Sequence, residues 1–180
     1  MSDRIPMLVL GLGNVLCADD GVGVVALHQL CDAWDLPAGV VAIDGGTLGL
    51  ALLPLVERAD RVILIDAVRA DGPPGTPVRL AGDAVAPAVR DRLSPHQIGV
   101  ADLLGGAALL DRYPREVVIV GVVPASVDLA FERTPAVAAA LPALVARVVA
   151  ELADHGFAPV ARGPTRAERR RDDAARALGL

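Results

Sequence analysis

Four short apolar runs, each closed by glycine, aspartate or proline, constrain this chain more tightly than any other feature. They are residues 6–11, ending at Gly11; Val40 to Ile43, followed by Asp44; residues 61–66, ending at Asp66; and residues 116–123, followed by Pro124. Each is too short for a core helix and apolar at consecutive positions, so each reads as a strand buried on both faces, as in a parallel sheet. Helical spacing fills the intervals. Val24, Leu27 and Cys31 mark a helix over 21–34, with Asp20 placed to cap its first turn. Further helices are expected over about 48–58 and 98–112. A last one opens at Thr134-Pro135, with Val137, Leu141, Leu144, Val145, Val148 and Leu152 on one face and Pro142 placed to kink or split it. Val78 to Leu80 follows the third run too closely for a helical crossover, so it is expected to be an antiparallel strand. Alternating strands and helices give one α/β domain over residues 1–161, a mainly parallel sheet with helices on both faces.

Composition narrows the function classes. The 180 residues are 53% hydrophobic but only 2% aromatic, so the core must be built from Val, Leu, Ile and Ala. A net charge of −5 argues against nucleic acid as a partner, which needs a basic face. All 17 basic residues are arginine; with no lysine, neither a P-loop ATPase nor a Schiff-base enzyme is open to the chain. Cys17 and Cys31 make neither a disulfide framework nor a four-ligand zinc site. The apolar stretch 135–153 carries Pro142, Arg147 and Glu151 and reads as a core helix, not a membrane span. No signal-peptide pattern opens the sequence, and a soluble, reducing, cytoplasmic setting is expected. The segment 162–180, with six Arg against three acids, reads as a disordered tail.

In such sheets the ligand crevice lies at the carboxyl ends of the strands. The loops there carry Asp19 and Asp20 after the first run, Asp44 after the second and Asp66 at the end of the third. Any one of these acids is an ordinary cap or turn residue; three successive strand ends with an aspartate suit a metal or general-base site. His28 and His155 fall in helices and read as surface or half-buried residues. His96 sits in a Ser94-Pro95-His96-Gln97 loop, open to either a surface or a functional role. Gly11-Leu12-Gly13-Asn14 begins like a dinucleotide fingerprint, but Leu16 stands where the third glycine is needed. Cys17 has no identifiable base and reads as a small hydrophobe.

Together these segments resemble the nickel–iron hydrogenase maturation endopeptidases. The resemblance rests on Gly11-Leu12-Gly13-Asn14-Val15-Leu16 with Asp19-Asp20-Gly21-Val22-Gly23, on Asp44-Gly45-Gly46-Thr47, on Ile65-Asp66-Ala67 and on Ser94-Pro95-His96-Gln97-Ile98-Gly99. Gly121-Val122-Val123-Pro124 and Thr134-Pro135-Ala136-Val137 extend it, in family order, over about residues 7–155. It implies a three-layer α/β/α sandwich around a mixed, mostly parallel five-stranded sheet, with the first and third strands adjacent. It implies that Asp20, Asp66 and His96 are both metal ligands and catalytic groups. The acidic pair leaves open whether Asp19 shares the role of Asp20. Glu132-Arg133 is more charged than the apolar pair that the family pattern suggests at that point.

The activity implied is removal of a short C-terminal extension from a hydrogenase large-subunit precursor after nickel insertion. The metal is nickel supplied by the precursor; two carboxylates and an imidazole also suit Zn(II) and other divalent ions. No usual nucleophile–base pair is present, and a metal acting as Lewis acid fills that gap. Asp44, Gly45 and Gly46 either shape the peptide cleft or form a plain turn. Two other readings compete: an assembly factor that binds a hydrogenase subunit without cutting it, and a nucleotide-binding module.

Overall fold

The computed structural model describes residues 4–90 and 95–163, with the backbone alone for 88–90 and 95–98. The first apolar run forms β1 (Ile5–Leu12), the second β3 (Val40–Gly46), the third β4 (Ala59–Ala67) and the fourth β6 (Glu116–Val122). With β5 (Pro77–Ala81) they build a five-stranded sheet in the order β3-β1-β4-β6-β5. The first four strands are parallel, and β5 pairs antiparallel with β6. This is the mixed, mostly parallel sheet the sequence implies, with β1 and β4 adjacent and Gly11 opposite Ile65.

Successive residues of a strand face opposite sides of the sheet, and the two faces bury separate cores. Leu8, Leu10, Leu64 and Ile119 face α2 (Leu53–Val56), α3 (Val85–Arg90) and α4 (Pro95–Leu109). Met7, Val9, Ile63, Ile65, Val118 and Val120 face α1 (Val22–Ala33) and α5 (Pro135–Asp154). Among the described residues, every fully buried large side chain is Leu, Ile or Met except Glu151, as the scarcity of aromatics requires. All six apolar residues expected on one face of α5 are buried. The helix is long and apolar enough to cross a membrane, but that face packs on the sheet.

Several expectations need correction. β3 is half-buried, not fully buried, because it is the edge strand and pairs only with β1 among the described strands. The helix expected over 48–58 is a 3-10 turn at Gly49–Leu52 followed by the single α-helical turn α2, with Pro54 early in it. Pro142 does not split α5. Asp20 does not cap α1: the N-cap is Gly21, and Asp20 lies in a preceding 3-10 turn, Ala18–Gly21. A second, two-stranded sheet pairs β2 (Trp34–Asp35) antiparallel with β7 (Val160–Ala161). Arg162 continues it, its amide donating to Ala33 and its guanidinium to Asp35 at 2.7 Å. The rest of the expected tail, from 164 on, lies outside the described residues.

Candidate active site

The chain leaves the middle of the sheet on opposite faces. The β1–β3 connection runs through α1 on one face, and the β3–β4 connection through α2 on the other. In open α/β sheets the ligand crevice belongs where the connections diverge, here the carboxyl ends of β1 and β4.

The first wall is the turn after β1. Gly13 takes φ +115°, and a Cβ there would overlap the Asp20 carbonyl, so only glycine lets the turn close. A ring of hydrogen bonds then fixes Asp20. The Asp20 amide donates to the Cys17 carbonyl at 2.9 Å, the Cys17 amide to the Asn14 carbonyl at 3.0 Å, and the Asn14 amide to Asp20 Oδ2 at 2.8 Å. The Leu16 amide donates to Asn14 Oδ1 at 3.0 Å. Asp20 ends up 3% exposed.

Asp66, the penultimate residue of β4, is fully buried, and its Oδ1 accepts the Ala67 amide at 2.8 Å. The turn carrying Asp20 packs on β4, because Gly23, three residues on, lies directly against the carbonyls of Ile65 and Leu12. The fold therefore sets the Asp20 turn against the strand that carries Asp66, 46 residues further along the sequence. Buried carboxylates are costly without compensating charge or donors, and a pair of oxygen donors at a strand-end crevice is suited to a divalent cation.

His96 is not in a loop. α4 begins at Pro95, where a missing amide costs nothing, and His96 falls in its first turn. That turn lies at the carboxyl end of the sheet, next to the segment after β3: a Cβ on Gly99 would lie 2.9 Å from the Gly49 Cα. The imidazole itself is outside the described side chains. Among the described residues no group of three His, Cys, Asp or Glu side chains is placed to hold a metal.

Asp44, Gly45 and Gly46 end β3, next to the end of β1. Gly45 is the extra residue of a bulge, since Gly11 faces Asp44 while Leu12 faces Gly46. Asp44 is exposed and meets His28 Nε2 on α1 at 3.0 Å, a pairing that helix-by-helix reading of the sequence does not reveal. Cys17 is free, partly buried, and forms a lone bridge with Ala130.

Asp19 turns away from Asp20. It is fully buried, and its carboxylate accepts the Ala125, Ser126 and Thr134 amides at 2.8, 3.2 and 2.8 Å. Thr134 is the N-cap residue of α5, but its hydroxyl donates to Asp19 at 2.9 Å and makes no capping hydrogen bond to the helix. Sequence reasoning offers Asp19 only as a second candidate ligand. The one signal for its real partners is Thr134, a hydroxyl residue ahead of a helix.

Comparison with known proteins decides the family. The family model described as hydrogenase maturation protease matches residues 24–151. The chain belongs to the hydrogenase maturation protease family. It is 34% identical over 157 residues to the hydrogenase 2 maturation protease of Escherichia coli, covering 87% of this chain and 96% of that one. It is 39% identical over 162 residues to the hydrogenase expression/formation protein HupD of Rhodobacter capsulatus, covering 88% and 76%. Among solved structures, the hydrogenase maturating endopeptidase HybD from E. coli superposes with a TM-score of 0.83 at 34% identity, over 87% of this chain and 98% of that one. The nickel–iron hydrogenase maturation protease HybD from Thermococcus kodakarensis superposes at 0.65 with 28% identity, over 82% and 98%.

Proposed function

We propose that this maturation protease removes the C-terminal extension of a nickel–iron hydrogenase large-subunit precursor once nickel has been inserted. Asp20, Asp66 and His96 would recognise the precursor's own nickel. What supports this most is that Asp20, in the turn after β1, and Asp66, at the end of β4, are both buried where two adjacent parallel strands end. Burying a carboxylate carries a desolvation cost that an incoming divalent cation offsets, so a nickel-loaded precursor would bind more tightly than an empty one. The ion would polarise the scissile carbonyl or a water molecule as a Lewis acid.

The residues of this chain hold that geometry. The amide ring around Asn14 and Cys17 orients the Asp20 carboxylate, and the Ala67 amide orients Asp66. Asp44, Gly45 and Gly46 would line the peptide's path at the sheet edge, where the outer side of β3 pairs with no described strand. The cut would follow the last nickel-ligating cysteine motif of the precursor, just after a basic residue. Two free cysteines suit a reducing cytoplasm.

The test is cleavage of nickel-loaded precursor by Asp66→Asn and Asp20→Asn variants, read by mass spectrometry of the precursor's C-terminus. Asn keeps the size but removes the charge that binds a cation. Both variants are expected to lose at least about a hundredfold in rate, equivalent to some 2.7 kcal/mol of barrier. Wild-type rates for Asp66→Asn would remove the main support for the reading.

A further inference from the structure

We propose that Asp19 is a positioning residue that latches segment 124–134 to the turn carrying Asp20, so that this segment forms a fixed wall for the precursor. The proposal rests on the functional reading above and deepens it.

A carboxylate has about four lone-pair positions. In Asp19 they face four donors, the amides of Ala125, Ser126 and Thr134 and the Thr134 hydroxyl, all from one segment. No acceptor capacity remains for a metal ion, so the two adjacent acids divide their roles: Asp20 accepts the Asn14 amide within its own turn, and Asp19 holds the wall. The backbone repeats the attachment. The Asp19 amide donates to the Ser126 carbonyl at 3.1 Å, the Ala18 amide to Ala130 at 2.7 Å, and the Ala130 amide to Leu16 at 3.0 Å. Seven donors thus tie a segment with no helix or strand of its own to the four residues Leu16–Asp19.

The latched segment presents groups left exposed or unfilled among the described residues. Leu129 and Phe131 are each 82% exposed, in a chain with only two phenylalanines. Arg133 is half-buried, and its Nε is buried without an acceptor. A buried donor left empty carries a desolvation penalty that a bound partner's carbonyl or carboxylate removes. Apolar side chains and an unfilled donor, held next to the Asp20 turn, fit the apolar and carbonyl groups of an extended precursor segment entering the crevice.

The experiment compares full-length wild type with Asp19→Asn, Thr134→Val and Thr134→Ser. Hydrogen exchange of 124–134 reads the latch without any precursor. Binding and cleavage of nickel-loaded precursor are then measured separately. An Asn side chain must turn its NH2 against at least one backbone amide, so Asp19→Asn is expected to speed exchange of 124–134 at least about tenfold while β1 and β4 keep their rates. It should weaken precursor binding by about tenfold or more, the equivalent of about 1.4 kcal/mol and one charge-assisted hydrogen bond. The rate at saturating precursor should change by less than about threefold. Thr134→Val should show a smaller shift of the same kind, and Thr134→Ser should restore wild-type behaviour because it keeps the hydroxyl. Unchanged exchange in Asp19→Asn would overturn the latch. A collapse of the saturating rate with binding intact would make Asp19 a ligand instead. A wild type that binds precursor without cutting it would remove the peptidase reading and leave exchange and binding to decide the latch.

Discussion

Replacing Gly23 by alanine tests whether the contact between α1 and the strand ends sets the crevice. A Cβ at Gly23 would overlap the Ile65 carbonyl oxygen and lie 2.5 Å from that of Leu12. Ordinary contact begins near 3.4 Å. Both obstacles are backbone of the two central strands, so neither can rotate away, and the helix must retreat by on the order of 1 Å. That retreat loosens Val22, Ala26, Leu27 and Leu30, all buried against the sheet, and draws the Asp20 turn away from Asp66. The cost is set at about 3 kcal/mol, the upper end of the overpacking range. For a domain of this size each 1 kcal/mol lowers Tm by roughly 2–4 °C, so Gly23→Ala should melt about 6–12 °C early. Gly105→Ala is the control. It lies on the exposed side of α4, and a Cβ there meets nothing within 4 Å. It should gain about 0.5–1 kcal/mol from helix propensity alone. Thermal melts and precursor cleavage read the pair. The reasoning fails if Gly23→Ala melts within about 2 °C of wild type, a shift of under 1 kcal/mol, and cleaves at the wild-type rate.

Three further outcomes follow from the packing. Glu151 is fully buried and accepts Arg79 Nε and Nη2 at 2.7 Å each and Arg147 Nη2 at 2.8 Å, with His155 Nε2 at 3.3 Å. Because both arginines are about two-fifths exposed, solvent screens part of the loss, and Glu151→Gln should cost about 1–3 kcal/mol by denaturant titration, less than a fully buried pair would. The Arg79 hydrogen bonds hold the Glu151 carboxyl below its ordinary 4.5. Its contribution is therefore complete above that pH and lost as pH falls through the depressed folded value. Glu151→Gln should remove that part of the acid destabilisation, and equal acid sensitivity in both proteins would refute the assignment. Leu103, fully buried between α4 and the sheet, should cost about 2–5 kcal/mol on truncation to alanine. Leu129→Ala, at 82% exposure, should stay within about 0.5 kcal/mol of wild type.

Much of the fold was legible because its strands are continuous apolar runs ended by chemically distinctive residues. Gly11 and Asp66 mark strand ends in the sequence and fall one residue short of the ends of β1 and β4 in the structure. The adjacency of the first and third runs was legible too, though only through the family resemblance, since spacing does not say which strands are neighbours. What escaped depends on long-range partners. Trp34-Asp35 and Val160-Ala161 are pairs too short to carry a period. Glu151 reads as an interruption of an apolar helix until Arg79, on a distant strand, arrives to neutralise it. Asp19 and Asp20 are identical in sequence terms, and only the folded position of 124–134 separates them. His96 was misplaced into a loop because Pro95 signals a helix start as readily as a turn.

Cleavage of one large-subunit precursor in nickel-loaded and nickel-free forms, with the C-terminus read by mass spectrometry, tests the central claim most directly. Loss of a short C-terminal peptide from the loaded form alone is expected if Asp20 and Asp66 read the precursor's metal. Equal cleavage of both forms would keep a peptidase at this crevice and contradict nickel as its gate.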